Sequence, residues 1–150
     1  HYMVADASGR SAIFEWVAAD DDTDTDGSAR ELRVTYNDDD AAFGEVEAAA
    51  DYQWVTNFVL EPNYYASDDA KKGLDRYNEL YTRLSATDGI VADESAAMDV
   101  LAAVGRRSWN NDDANTITVH SVVYNLTDRV MYWVPNENFD DASAWITYKL

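Results

Sequence analysis

The chain contains no cysteine. That excludes a disulfide framework, a thiolate metal site and a thiol nucleophile within these 150 residues. Positive charge is scarce as well: 11 lysine and arginine side chains stand against 29 acidic ones, a formal net charge of −18. Lysine occurs only at Lys71, Lys72 and Lys149. Phosphate binding needs clustered basic side chains, so this balance excludes a basic nucleic-acid binder and disfavours an anionic membrane surface. No apolar run approaches the roughly 20 residues that span a bilayer. The first residues also lack a basic stretch followed by a long apolar one, the mark of a secretory signal, which leaves a cytoplasmic location as the expectation.

What is present suits a folded domain. Apolar residues make up 47% of the chain and aromatics 13%, enough for a core and too much for a disordered segment. The length fits a single domain spanning residues 1–150, with no internal repeat and no dividing linker. The strong excess of Asp reads as a compositional habit or a salt-tolerant host rather than as a site.

Period-two patterning dominates the first third. Tyr2 to Asp6 reads as a strand, Ala7 to Arg10 as a turn, and Ser11 to Ala18 as the hairpin partner. Glu31 to Asn37 alternates, with Leu32, Val34 and Tyr36 on one face, and Tyr52 to Val59 reads as a further strand. The period then changes. Ser67 with Asp68 and Asp69 predicts a helix start, and Leu74, Tyr77, Tyr81 and Leu84 form one apolar stripe. A second helix is predicted from Asp93, with Ala97, Val100, Leu101 and Val104 on one face and Gly105 as a left-handed cap. Asn115 to Leu126, a Thr127-Asp128 turn, Arg129 to Val134 and Ser143 to Leu150 return to strands. Strands segregated from a helix pair predict an α+β fold, antiparallel sheets with the helices on one face.

Several residues invite a chemical reading. Asp22, Asp24, Asp26 and Gly27 match the first half of a calcium loop. The closing bidentate position falls on Arg33, in a strand rather than a helix, so a solvated hairpin tip is expected and no metal site is assigned. His120, between Val119 and Ser121, lacks the paired spacing of a zinc ligand and reads as a strand histidine. A triad assembled from Ser121, His120 and an aspartate has no nucleophile elbow to support it. Asn125-Leu126-Thr127 fits the glycosylation sequon but reads as a turn asparagine. Thr56-Asn57 sits at a strand end, where sheet proteins often place functional amides, and Arg76 lies off the stripe of the first helix within reach of Glu79 at i+3.

Taken in order, HYMVADASGRSAIFEW, WVTNF, LDRYNEL and TITVHSVVYNLTDRVMYW resemble the linear amide C–N hydrolases. That group includes choloylglycine hydrolases, penicillin V acylases and related acyltransferase-like enzymes. The first run is similar to the family's D-x-x-G-x-S-x-x-x-E strand pair, the second to its Thr-Asn strand end, the third to its arginine-bearing helix, and the last to its closing hairpin. The resemblance implies an N-terminal-nucleophile fold, the αββα sandwich. It also implies a mature N-terminal cysteine that attacks a small-molecule amide with its own α-amino group as base, and no cofactor. Carried over, Asn57 matches the oxyanion or substrate donor, and Arg76 the arginine that stabilises charge near the thiol. The residues around both depart from the pattern: Phe58-Val59-Leu60-Glu61 separates Asn57 from Pro62, and Lys72-Gly73-Leu74-Asp75 replaces a Ser-rich approach to Arg76. With no thiol present, the expectation is a C-terminal fragment of a larger hydrolase, inactive alone and associating as a homo-oligomer through surfaces the other half would cover. The alternative is a non-catalytic α+β binding or interaction domain carrying an acidic loop.

Overall fold

A β-hairpin opens the chain, its turn closed by Asp6 and Gly9. In the computed structural model, which describes residues 1–18, 30–38, 42–43, 46–47, 51–61, 64–66, 68–107 and 117–150, strand β1 (Tyr2–Ala5) pairs antiparallel with β2 (Ser11–Ala18). Gly9 takes φ +86°, and the Asp6 carboxylate accepts the Ser8 and Arg10 N–H groups at 2.8 and 3.3 Å. Strand β3 (Arg30–Tyr36) continues the sheet, order β1-β2-β3. Two short strands, β4 (Ala42–Phe43) and β5 (Val46–Glu47), pair with each other. Helices α1 (Leu74–Ser85) and α2 (Glu94–Val104) follow, and then a second antiparallel sheet of β6 (His120–Asn125), β7 (Val130–Pro135) and β8 (Ile146–Lys149). The α+β class stands.

The chain divides into two compact units, His1–Thr82 and Arg83–Leu150. In the first, alternation along β2 buries Ile13, Glu15 and Val17 on one face. Trp54, Phe58, Leu60 and Tyr77 are buried too, with the Tyr77 ring 5.3 Å from Trp54 and 5.1 Å from Phe58. The other face carries Tyr2, Val4, Phe14, Trp16, Leu32 and Val34 in register, and it stays open: Trp16 is 65% and Tyr2 76% exposed.

In the second unit, Met98 of α2 packs with Val134 and Phe139, flanked by Leu101, Val123, Tyr132 and Trp145. The start of α2 is tied down twice. Asp93 caps it by accepting the Ala96 N–H at 2.8 Å, and the Glu94 carboxylate accepts Asn125 Nδ2 at 2.8 Å and the Tyr132 hydroxyl at 3.2 Å.

Four expectations are corrected. The segment Tyr52 to Val59 is not a strand. Side-chain bonds take the place of a backbone ladder: Gln53 donates to the Thr35 carbonyl, Thr56 Oγ1 to the Gly73 carbonyl, and the Tyr65 hydroxyl accepts the Val59 N–H. The first helix begins at Leu74 rather than near Ser67, because Gly73 at φ +90° cannot belong to a right-handed helix. Ser67 itself lies outside the described residues. Gly105 caps α2 in extended conformation, φ −67° and ψ 136°, not left-handed. The third sheet strand is preceded by a 3-10 turn at Ala142–Ala144, so β8 is confined to Ile146–Lys149.

Candidate functional site

Asn57 and Arg76, 19 positions apart, meet: Arg76 Nη2 donates to Asn57 Oδ1. The meeting depends on Gly73. A methyl group there would lie 2.8 Å from Arg76 Nη2 and 3.3 Å from both the Asn57 nitrogen and Thr56 Oγ1. Thr56 Oγ1 donates to the Gly73 carbonyl at 3.0 Å, which fastens the loop before α1 to the residue before Asn57. With its oxygen engaged by a guanidinium, the Asn57 amide presents Nδ2, a donor, and the residue is exposed while Phe58 beside it is buried. An amide held this way can donate to an oxygen that gains negative charge.

Beneath this pair sits a buried acid that sequence reasoning gave no role. Glu15 is 2% exposed on the inward face of β2. Both its oxygens accept the Leu60 N–H at 3.1 Å, and His1 Nδ1 lies 3.0 Å from Oε1. The other ring nitrogen, Nε2, lies against the Thr56 carbonyl. Strand register explains the meeting: Tyr2 faces Phe14, so the next step places His1 opposite Glu15. Burial pushes the Glu15 carboxyl above the usual range, opposed by the Leu60 N–H. Burial also pushes the Tyr77 phenol up, and the Glu15 charge adds to it. Among the described residues the Tyr77 hydroxyl has no hydrogen-bond partner. The sequence carried a signal for this cluster: an acid at an inward position between Ile13 and Val17 must find partners or fail to fold.

The other candidates separate from this site. The acidic loop, with Asp22, Asp24, Asp26 and Gly27, lies outside the described residues. Arg33, at its closing position, is on β3 and ion-paired to Glu31 and Glu61. Among the described residues no group of three or more metal-ligating side chains converges. His120 is exposed at the start of β6, edge-on to Trp133 at 5.9 Å. Asn125 is the last residue of β6, not a turn residue, and its side chain holds the turn that follows: Nδ2 donates to Glu94 and to Asp128 (2.9 Å), and Oδ1 accepts the Asp128 N–H. No helix among the described residues is long and apolar enough to cross a membrane.

Comparison of the chain with family models, with curated proteins and with solved structures finds no match.

Proposed function

We propose that these residues form the C-terminal part of a hydrolase of linear amide C–N bonds, built on the αββα sandwich of N-terminal-nucleophile enzymes. Its cysteine nucleophile lies outside the 150 residues. The hydrogen bond from Arg76 to Asn57 carries this reading, because it orients an exposed amide donor and sets a cation beside it. In the proposed reaction the thiolate attacks the amide carbonyl and Asn57 Nδ2 donates to the oxyanion. The amine then leaves with a proton, and water hydrolyses the thioester. Arg76 holds Asn57 and favours negative charge at the thiol. The substrate class is a small-molecule amide, and nothing in the chemistry calls for a cofactor. The two helix-bearing units, each with a three-stranded antiparallel sheet, supply the kinds of layer that such a sandwich needs.

The test uses the parent enzyme assayed on penicillin V, glycocholate, acyl-homoserine lactones and N-acyl amino acids. Asn57→Ala is expected to lower kcat by about a hundredfold or more, the usual loss of one oxyanion donor. Full activity in that variant, or a parent sequence without an upstream cysteine, refutes the reading.

The open apolar face of the first sheet favours a second reading, a non-catalytic interaction domain. It predicts a bound protein partner and indifference to Asn57→Ala.

A further inference from the structure

We propose that His1 and Glu15 share one proton and act together as a clamp on the backbone at both sides of Asn57, gripping the Thr56 carbonyl and the Leu60 N–H. The role of Asn57 as oxyanion donor is taken from the reading above. The clamp itself follows from counting protons.

A neutral imidazole has a single N–H. Here its two nitrogens face two acceptors, a carboxylate oxygen and a peptide carbonyl. Both bonds exist only when the pair carries one proton more than neutral histidine with ionised glutamate. The Leu60 N–H, shared between both oxygens, is best met by a carboxylate, which places the extra proton on the ring. The surrounding charges are few. Arg33 stands opposite Glu15 on β3, held by Glu31 and Glu61. Glu61 acts on the carboxylate with like charge, and Tyr77 faces it from α1.

The consequence is directional. Raising the pH removes the shared proton, and two acceptors then compete for one N–H. One of the ring's bonds is lost, Thr56 or Glu15 is released, and the backbone before Asn57 loosens. The clamp is whole at low pH and opens as the pair titrates. His1 and Glu15 are thus positioning residues that would make the amide donor's placement dependent on pH.

Imidazole nitrogen and side-chain amide NMR on the 150-residue chain reads this directly, with the Glu15→Gln variant, which keeps an acceptor for Leu60, as the reference. His1 is expected to keep both ring N–H groups at least one pH unit higher in the unaltered chain than in Glu15→Gln, a tenfold greater proton affinity. The Asn57 side-chain amide should shift along the His1 titration curve. In His1→Gln the Asn57 amide should stop responding to pH while the Leu60 amide stays protected. His1 titrating alike in the unaltered chain and in Glu15→Gln, or an Asn57 signal indifferent to that titration, overturns the clamp. If Glu15→Gln does not fold, His1→Gln decides alone. None of these signals involves substrate, so the clamp and the amidase reading fail independently.

Discussion

Replacing Gly73 by alanine should separate the cost of backbone strain from the loss of a functional contact. Gly73 sits at φ +90°, a region where an L side chain costs about 1–2 kcal/mol. Gly9, in the first hairpin, sits at φ +86° and has nothing within 4 Å of an added methyl. Gly9→Ala therefore pays only the backbone term. At Gly73 the methyl meets Arg76 Nη2 at 2.8 Å, and its neighbours at 3.3 Å are a backbone nitrogen and a hydroxyl already bonded to the Gly73 carbonyl. The guanidinium end is the group that can move, so the strain is relieved by giving up the bond to Asn57. Both variants should lose about 1–2 kcal/mol in denaturant unfolding, and for a unit of this size each kcal/mol lowers Tm by about 4–8 °C. Only Gly73→Ala should also move the Asn57 side-chain amide signal and, in the parent enzyme, cut kcat as Asn57→Ala does. An unchanged Asn57 signal in Gly73→Ala would refute the reasoning, and so would an equal shift in Gly9→Ala.

Met98→Ala should destabilise by about 2–5 kcal/mol, since the side chain is 1% exposed among Val134 and Phe139; hydrogen exchange should place the loss within residues 83–150. The Glu94 carboxyl is held below the usual range, chiefly by the hydrogen bond from Asn125. A depressed carboxylate stabilises above its unfolded pKa and loses that contribution as pH falls through the folded one, so Asn125→Ala should return the Glu94 titration toward normal and flatten the acid limb of the stability curve. The open face carrying Tyr2, Val4, Trp16 and Leu32 should drive self-association that tightens with salt as the −18 charge is screened, which sedimentation at two ionic strengths would show; a monomer in both refutes it.

Local patterning was legible wherever an element satisfies its own backbone. The alternation of β2 and the stripe of Leu74, Tyr77 and Tyr81 announce a strand and a helix, and both form. Tyr52 to Val59 reads as a strand on its aromatic and β-branched residues, among them Tyr52, Trp54, Val55 and Val59, yet among the described residues no strand lies beside it to complete a ladder. Pairing is a tertiary fact that one segment cannot state. The same limit explains the helix start: Gly73, at φ +90° and with its carbonyl bonded by Thr56 Oγ1, holds the first helical residue back to Leu74. At the site, Asn57 and Arg76 could be named from motifs, whereas His1 and Glu15 needed the hairpin register before their meeting became visible. The core of the second unit likewise centres on Met98, which the helical stripe of Val100, Leu101 and Val104 left aside.

The segment 51–61 is fastened through side chains rather than a backbone ladder: Ser11 and Glu15 of β2 and Tyr65 reach it with theirs, and its own Gln53 and Thr56 donate to the carbonyls of Thr35 and Gly73. Strands zip residue by residue, each bond lowering the entropic cost of the next. Here most fastenings come from distant stretches of chain, so the full set exists only once β2, β3 and the loop before α1 are in place. The segment carrying Asn57 therefore completes its anchoring late on the folding route. It should also be the first to respond when any one of those distant anchors is loosened.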